Sequence, residues 1–290
     1  MKKLLSTFFV ALALMSHAQQ QKFTYKFISQ SDSIQKQKPI EELLALVVSK
    51  EGSVFYSEDK VKSDSIIKSK IEISKGSGNF NIDMRGMKMG RFGTIINKDY
   101  PTYKTVVRNR IGMNTYEYDE VRKPEWKITS EKQKIGDFNA QKATVNYLGR
   151  EWEAWFTSEI PIQDGPYVFH GLPGLIVKIT DTNQDYTFIL EGVKNNFSIN
   201  DFKTNKVIKL NYEKYKKAFQ DDYLNPGKDM KMLMGGSGTT AGGVSVVSNV
   251  RYVVDGKEVD AKDIHRKQDE EAKGRKLSDL NPIDKDLIKK

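Results

Sequence analysis

From 91 to 157 the chain is a series of short runs rich in Thr, Val, Tyr and Trp, parted by turn residues. GTIINK, TYKTVVRN, NTYEYDEV, EWKITSE, KATVNYLG and EWEAWFTS each fit a strand, because β-branched and aromatic side chains fill a pleated, half-buried surface. Asp99-Tyr100-Pro101, Ile111-Gly112, Lys123-Pro124 and Leu148-Gly149-Arg150 separate them. In KATVNYLGREWEAWF, Ala143, Val145 and Tyr147 share one face, and Trp152, Ala154 and Phe156 share one on the returning arm. That alternation predicts an antiparallel hairpin turning at Gly149. A second hairpin is expected in GLIVKITDTNQDYTFILEGV, where Leu175–Thr180 leads out and Tyr186–Leu190 returns. Its turn, Asp181-Thr182-Asn183-Gln184-Asp185, needs no ion to explain it, since Asp and Asn side chains cap local backbone groups.

The flanks extend the sheet. KFTYKFIS (22–29) alternates Phe23, Tyr25 and Phe27 with polar neighbours, and LLALVVS (43–49) with SVFYS (53–57) reads as a strand pair. A helix is expected over 58–74. A second is expected over 211–224, where Tyr212, Tyr215, Phe219 and Tyr223 recur at helical spacing before Asn225-Pro226-Gly227. GGSGTTAGGV (235–244) is a low-complexity loop, and VSVVSNVRYVVDG reads as one more strand. The charge-dense end is expected to form at most a solvated helix. The fold class is therefore α+β and β-rich: one large curved antiparallel sheet with a few helices packed on it. It divides into a leader (1–18), the β-rich domain (19–234), the Gly-rich loop (235–244), and a strand and charged tail (245–290) belonging to the same domain.

The leader reads as a secretory signal peptide. Lys2 and Lys3 precede an apolar stretch from Leu4 to Met15, and Ser16 and Ala18 occupy the small-residue positions of a cleavage site after Ala18. The stretch is shorter than the roughly 20 residues that span a bilayer. The expected location is periplasmic or otherwise exported. Cysteine is absent, which excludes a lipid anchor on cysteine, disulfides, a thiol nucleophile and thiolate metal sites. The formal charge of +9 is spread along the chain with no nucleic-acid-binding motif. It fits peripheral contact with anionic headgroups better than binding of nucleic acid.

Candidate chemistry is sparse. His170 abuts a Gly/Pro-rich turn and is the one histidine placed for a general base, while His265 lies among charges. No G-x-S-x-G elbow or S-x-x-K motif accompanies it, so an envelope hydrolase using His170 is an alternative and no catalytic residue is assigned. Six of the nine methionines fall in two clusters, Met84, Met87, Met89 and Met230, Met232, Met234. Thioethers favour Cu(I), which makes copper handling a second alternative. Adaptable apolar contact is the simpler use of methionine, and no cofactor is expected.

At FHGLPGLIVKITD the chain resembles the GLPGLI family of exported Bacteroidota proteins, through Gly171-Leu172-Pro173-Gly174-Leu175-Ile176. The likeness extends over 136–181, including Gly149-Arg150, Ala154-Trp155-Phe156-Thr157 and Gly165-Pro166, and NPID (281–284) resembles the family's Asn-Pro-Ile-Glu ending. Ala140 stands where many relatives carry cysteine. The family is uncharacterised, so the resemblance implies an envelope location and no active site. The Trp strand, Gly/Pro turn and GLP strand are also similar to LolA-type lipoprotein carriers, which implies an unclosed sheet over an apolar cavity. The function expected is a non-catalytic binding or accessory protein for an apolar, lipid-like ligand or an envelope protein partner. Trp152, Trp155, Phe156, Tyr167, Phe169, Leu172 and Leu175 are expected to line or brace its cavity. Gly165-Pro166 and the glycines at 171 and 174 are expected to turn the backbone, with Gly174 in a conformation or contact that only glycine tolerates.

Overall fold

A computed structural model describes residues 20–30, 39–77, 88–112, 114–197, 206–226, 251–254, 257–260, 266, 270 and 272–289. Its strands are β1 (Gln20–Ser29), β2 (Ile40–Val48), β3 (Gly52–Ser57), β4 (Ile95–Asp99), β5 (Lys104–Ile111) and β6 (Asn114–Glu120). Then follow β7 (Lys127–Ile135), β8 (Phe138–Tyr147), β9 (Arg150–Thr157), β10 (Leu175–Asp181), β11 (Tyr186–Phe197) and β12 (Val207–Lys209). Helix α1 spans Glu58–Ser77 and α2 spans Tyr212–Leu224. β13 (Arg251–Val254) and β14 (Lys257–Asp260) pair with each other in a separate two-stranded sheet.

The twelve other strands form one sheet in the order β12-β6-β5-β4-β3-β2-β1-β11-β10-β9-β8-β7. Two meanders start at its edges and meet along β1, which pairs with β2 on one side and β11 on the other. β6 and β7 lie ten strand spacings apart, roughly 48 Å along a flat sheet. Yet only residues 121–126 connect them, a link that reaches at most about 25 Å. The sheet therefore curls strongly without closing, giving a concave and a convex face.

Alternation decides what each face buries. Phe23, Tyr25 and Phe27 of β1, Leu44 and Leu46 of β2, Val107 of β5, Trp152, Ala154 and Phe156 of β9, and Phe188 of β11 join one core on the concave side. The 158–174 segment adds Val168, Phe169 and Leu172 to it. On the other face Ala45, Val47, Val54 and Tyr56 form a smaller cluster, capped by Val61 of α1. Helix α2 lies on the concave side, where its buried Tyr215 packs on Tyr118 with ring centroids 4.5 Å apart. Asn211 starts the helix by accepting a hydrogen bond from the Lys214 amide.

The described part of the VSVVSNVRYVVDG run is a strand, as expected, and pairs with β14 in the separate two-stranded sheet. Two expectations are corrected. The sheet is mixed, because β12 runs parallel to β6. The chain end is not a solvated helix: short 3-10 turns at Leu277–Asp279 and Lys285–Ile288 flank a docked segment in which Asn281, Asp284 and Leu287 are buried. Two arginines explain the docking. Arg150 donates to the carbonyls of Pro282 and Ile283, to Asn281, and to Asp181 and Asp185. Arg122 pairs with Glu120, Asp284 and Asp286. The 235–244 loop lies outside the described residues.

Candidate functional site

The Gly/Pro-rich turn is anchored by a buried ion pair. Ile96 and Lys98 alternate along β4, so both point into the core, and the Lys98 side chain is fully enclosed. Its ammonium donates to Asp164 and to the carbonyls of Gly165 and Phe169, which uses all three protons. Asp164 also accepts from the Ser53 and Tyr100 hydroxyls, each at 2.5 Å, and from the Gly165 amide at 2.6 Å. Burial lowers the Lys98 pKa, and Asp164 acts against that shift. Without its partner, either charge would be stranded in the core.

Gly174 behaves as expected: its φ is +152°, and a methyl group there would run into the Thr157 carbonyl. His170 forms a β-bridge opposite Asp164 and stacks on Tyr103, centroids 4.9 Å apart, while its carbonyl accepts from the Trp126 indole. Burial, reinforced by Lys98, pushes its imidazole down to about 4. It is neutral at physiological pH, and its contacts among the described residues include no serine hydroxyl.

Trp152, Trp155, Phe156, Phe169, Leu172 and Leu175 are all buried. All six join the concave core, in which Phe169 meets Trp152 edge-on at 4.8 Å. Trp155 lies within the same cluster and has Lys142 over its ring. Ile176 is buried beside Gly165, and its carbonyl accepts from Tyr25. These side chains brace the fold, and none of them lines the open cleft described next.

That cleft lies on the concave side, with a volume of about 590 Å³, within the roughly 300–1,000 Å³ of small-ligand sites. Phe27, Val107 and Tyr118 contribute from the sheet, Phe92 from the segment before β4, and Tyr167 from the Gly/Pro turn. Tyr215 and Phe219 of α2 and Pro282, Ile283 and Leu287 of the docked end complete its walls. Lys60, Arg91 and Arg110 are its cations, and Arg91 and Arg110 are exposed. Asp284 also borders it, but is occupied by Arg122, by the Tyr212 hydroxyl at 2.9 Å and by the Asp286 amide at 3.0 Å. The phenols of Tyr118 and Tyr167 are raised well above the ordinary tyrosine range, first by burial, then by Tyr167 in the case of Tyr118 and by Asp284 in the case of Tyr167, with Glu120 adding to both. Tyr215 is pushed up to about 12 by burial.

The sequence reading found Tyr167 among the cleft residues and missed Tyr118, Phe92 and the C-terminal wall. Tyr116-x-Tyr118 carried a usable signal, an aromatic alternation in a strand. Met89 is exposed beside a second, polar groove with Glu41, Glu42, Lys88 and Arg91. Met84, Met87, Met230, Met232 and Met234 lie outside the described residues, as does His265. Among the described residues no three His, Asp or Glu side chains converge as a metal site, and no helix is long and apolar enough to cross a membrane.

Residues 148–178 match a family described as a protein of unknown function, Porph_ging. The matched stretch holds the β8–β9 turn, all of β9, the Gly/Pro turn and the start of β10. No curated protein matches the chain. Two solved structures of PNGF-II, in different crystal forms, are similar to it with a TM-score of 0.47 at 18% and 17% identity. Each match covers 70% of this chain and 33% of the other, so the chain spans a third of those proteins' length.

Proposed function

We propose that this is an exported, non-catalytic binding protein whose concave cleft takes an amphipathic molecule with an apolar body and an anionic group. The observation that carries the reading is the make-up of the cleft. Aromatic and aliphatic side chains form its walls, and the cations Lys60, Arg91 and Arg110 border it. Apolar walls favour burial of a hydrocarbon or ring body by about 25 cal/mol per Å², and guanidinium groups recognise carboxylate or phosphate. The curled, unclosed sheet with a helix over its concave face also suits the carrier-like role implied by the resemblance to LolA-type proteins. The leader supports export.

Isothermal titration of the protein with sodium alkanoates from hexanoate to hexadecanoate tests this reading. Saturable binding that strengthens with chain length is expected, with a loss of about tenfold or more in the Arg91→Glu/Arg110→Glu double variant. No binding by any member of the series, or equal binding by the charge-reversed variant, would contradict it.

A further inference from the structure

Two hydroxyls in the cleft remain without hydrogen-bond partners. Tyr118 is 2% exposed and Tyr167 7% exposed, and both line the cleft. Neither hydroxyl has a hydrogen-bond partner among the described residues. The other tyrosines nearby are engaged: Tyr186 donates to the Asn281 carbonyl, Tyr212 to Asp284, and Tyr215 accepts from Asn109 at 3.3 Å. Neither the Tyr118 nor the Tyr167 hydroxyl is an enclosed, unsatisfied atom; among the described residues those are Arg108 Nε and Asp119 Oδ1. Both hydroxyls therefore open onto the cleft, where a bound molecule can reach them.

The surroundings decide what could satisfy them. Both phenols stay protonated, so each offers a donor. The carboxylates of Glu120 and Asp284 lie close enough to influence them and outnumber the one guanidinium, Arg122, between them. A second anion is therefore unwelcome there, whereas a neutral oxygen meets no such repulsion. The cations that suit an anion, Arg91 and Arg110, are the exposed ones. The cleft is thus polarised, with an anion seat at its exposed rim and a neutral hydrogen-bonding seat inside.

Resting on the binding role proposed above, we infer that the Tyr118 and Tyr167 hydroxyls form a seat for a neutral oxygen, an alcohol or carbonyl, on the apolar part of the bound molecule. The ligand class is then an oxygenated amphiphile instead of a plain hydrocarbon-tailed anion.

The test compares each alkanoate from hexanoate to hexadecanoate with its ω-hydroxy counterpart, titrated into the full chain. At the length that bridges rim and phenols, the ω-hydroxy form should bind about tenfold more tightly, the worth of one or two net hydrogen bonds. The Tyr118→Phe/Tyr167→Phe double variant keeps both rings and should lose that preference, binding each alkanoate and its ω-hydroxy counterpart with equal affinity. Its thermal melt establishes that it is folded, and each single variant serves as a second reading if the double one is not. Equal affinity for the two series in the wild type, or a preference that survives both substitutions, would overturn the neutral seat alone. Failure of every alkanoate, hydroxylated or not, would overturn the binding role together with it.

Discussion

At the scale of single residues, inward-facing polar side chains organise this molecule. Lys98, Arg150 and Asp181 each occupy a strand position two residues from a buried apolar one: Ile96, Trp152 and Ile179. His170 is the residue with the clearest titration. Its folded value of about 4 lies below the ordinary 6.5, so between those limits the unfolded chain takes up a proton that the native protein refuses. Stability should therefore decline as pH falls from about 6.5 towards 4, by up to roughly 3 kcal/mol, and His170 should add nothing further below that. His170→Gln should lack this limb. Urea melts at neutral pH and near pH 4.5 check it, and an unchanged pH dependence in the variant would contradict the assignment. The strand positions of these residues were readable in the sequence through period-two alternation. Their partners were not, because Lys98 meets Asp164 across 66 residues and Arg150 meets Asn281 across 131. A lysine or arginine on the inward register of a strand was the available signal.

At the scale of elements, the inner strands and α2 followed from local patterning because each hides its own apolar stripe, whereas β7 is exposed almost throughout and α1 leaves Ile66 and Ile73 exposed. The C-terminal segment did not follow from it, since its charge density reads as solvated until Arg122 and Arg150 are placed opposite it. Arg150 is almost fully buried and divides its donors among two carboxylates, one amide and two carbonyls. Lysine keeps the charge but cannot reach that many acceptors at once. Arg150→Lys should cost about 1–3 kcal/mol in urea unfolding, and should raise proteolytic cleavage within residues 277–289 before the rest of the chain is cut. A variant as stable as the wild type, with the segment equally protected, would show that the arginine is not what holds it. Since Pro282, Ile283 and Leu287 wall the cleft, loss of this latch would also reshape the binding site.

At the scale of the whole molecule, an open sheet must protect its edges. β7 is exposed at nearly every position and carries Lys127, Lys132 and Lys134, the kind of charge that discourages edge-to-edge pairing. Replacing all three with valine should give concentration-dependent association in size-exclusion chromatography, while the wild type elutes unchanged across the same range. The order of strands, unlike the strands themselves, had no local signature. β1 sits in the middle of the sheet and joins the two meanders, and the Tyr25 hydroxyl reaches the Ile176 carbonyl across 151 residues. That position has a consequence in time. Along the chain β2 follows β1 closely and covers one flank, but β11, which covers the other, comes only after eight further strands, β3 to β10. Until β11 pairs, β1 presents a bare row of peptide groups to whatever is nearby. The seam between the two meanders therefore joins the neighbouring strands most distant in sequence, and its closure carries the largest loop-closure cost of the sheet.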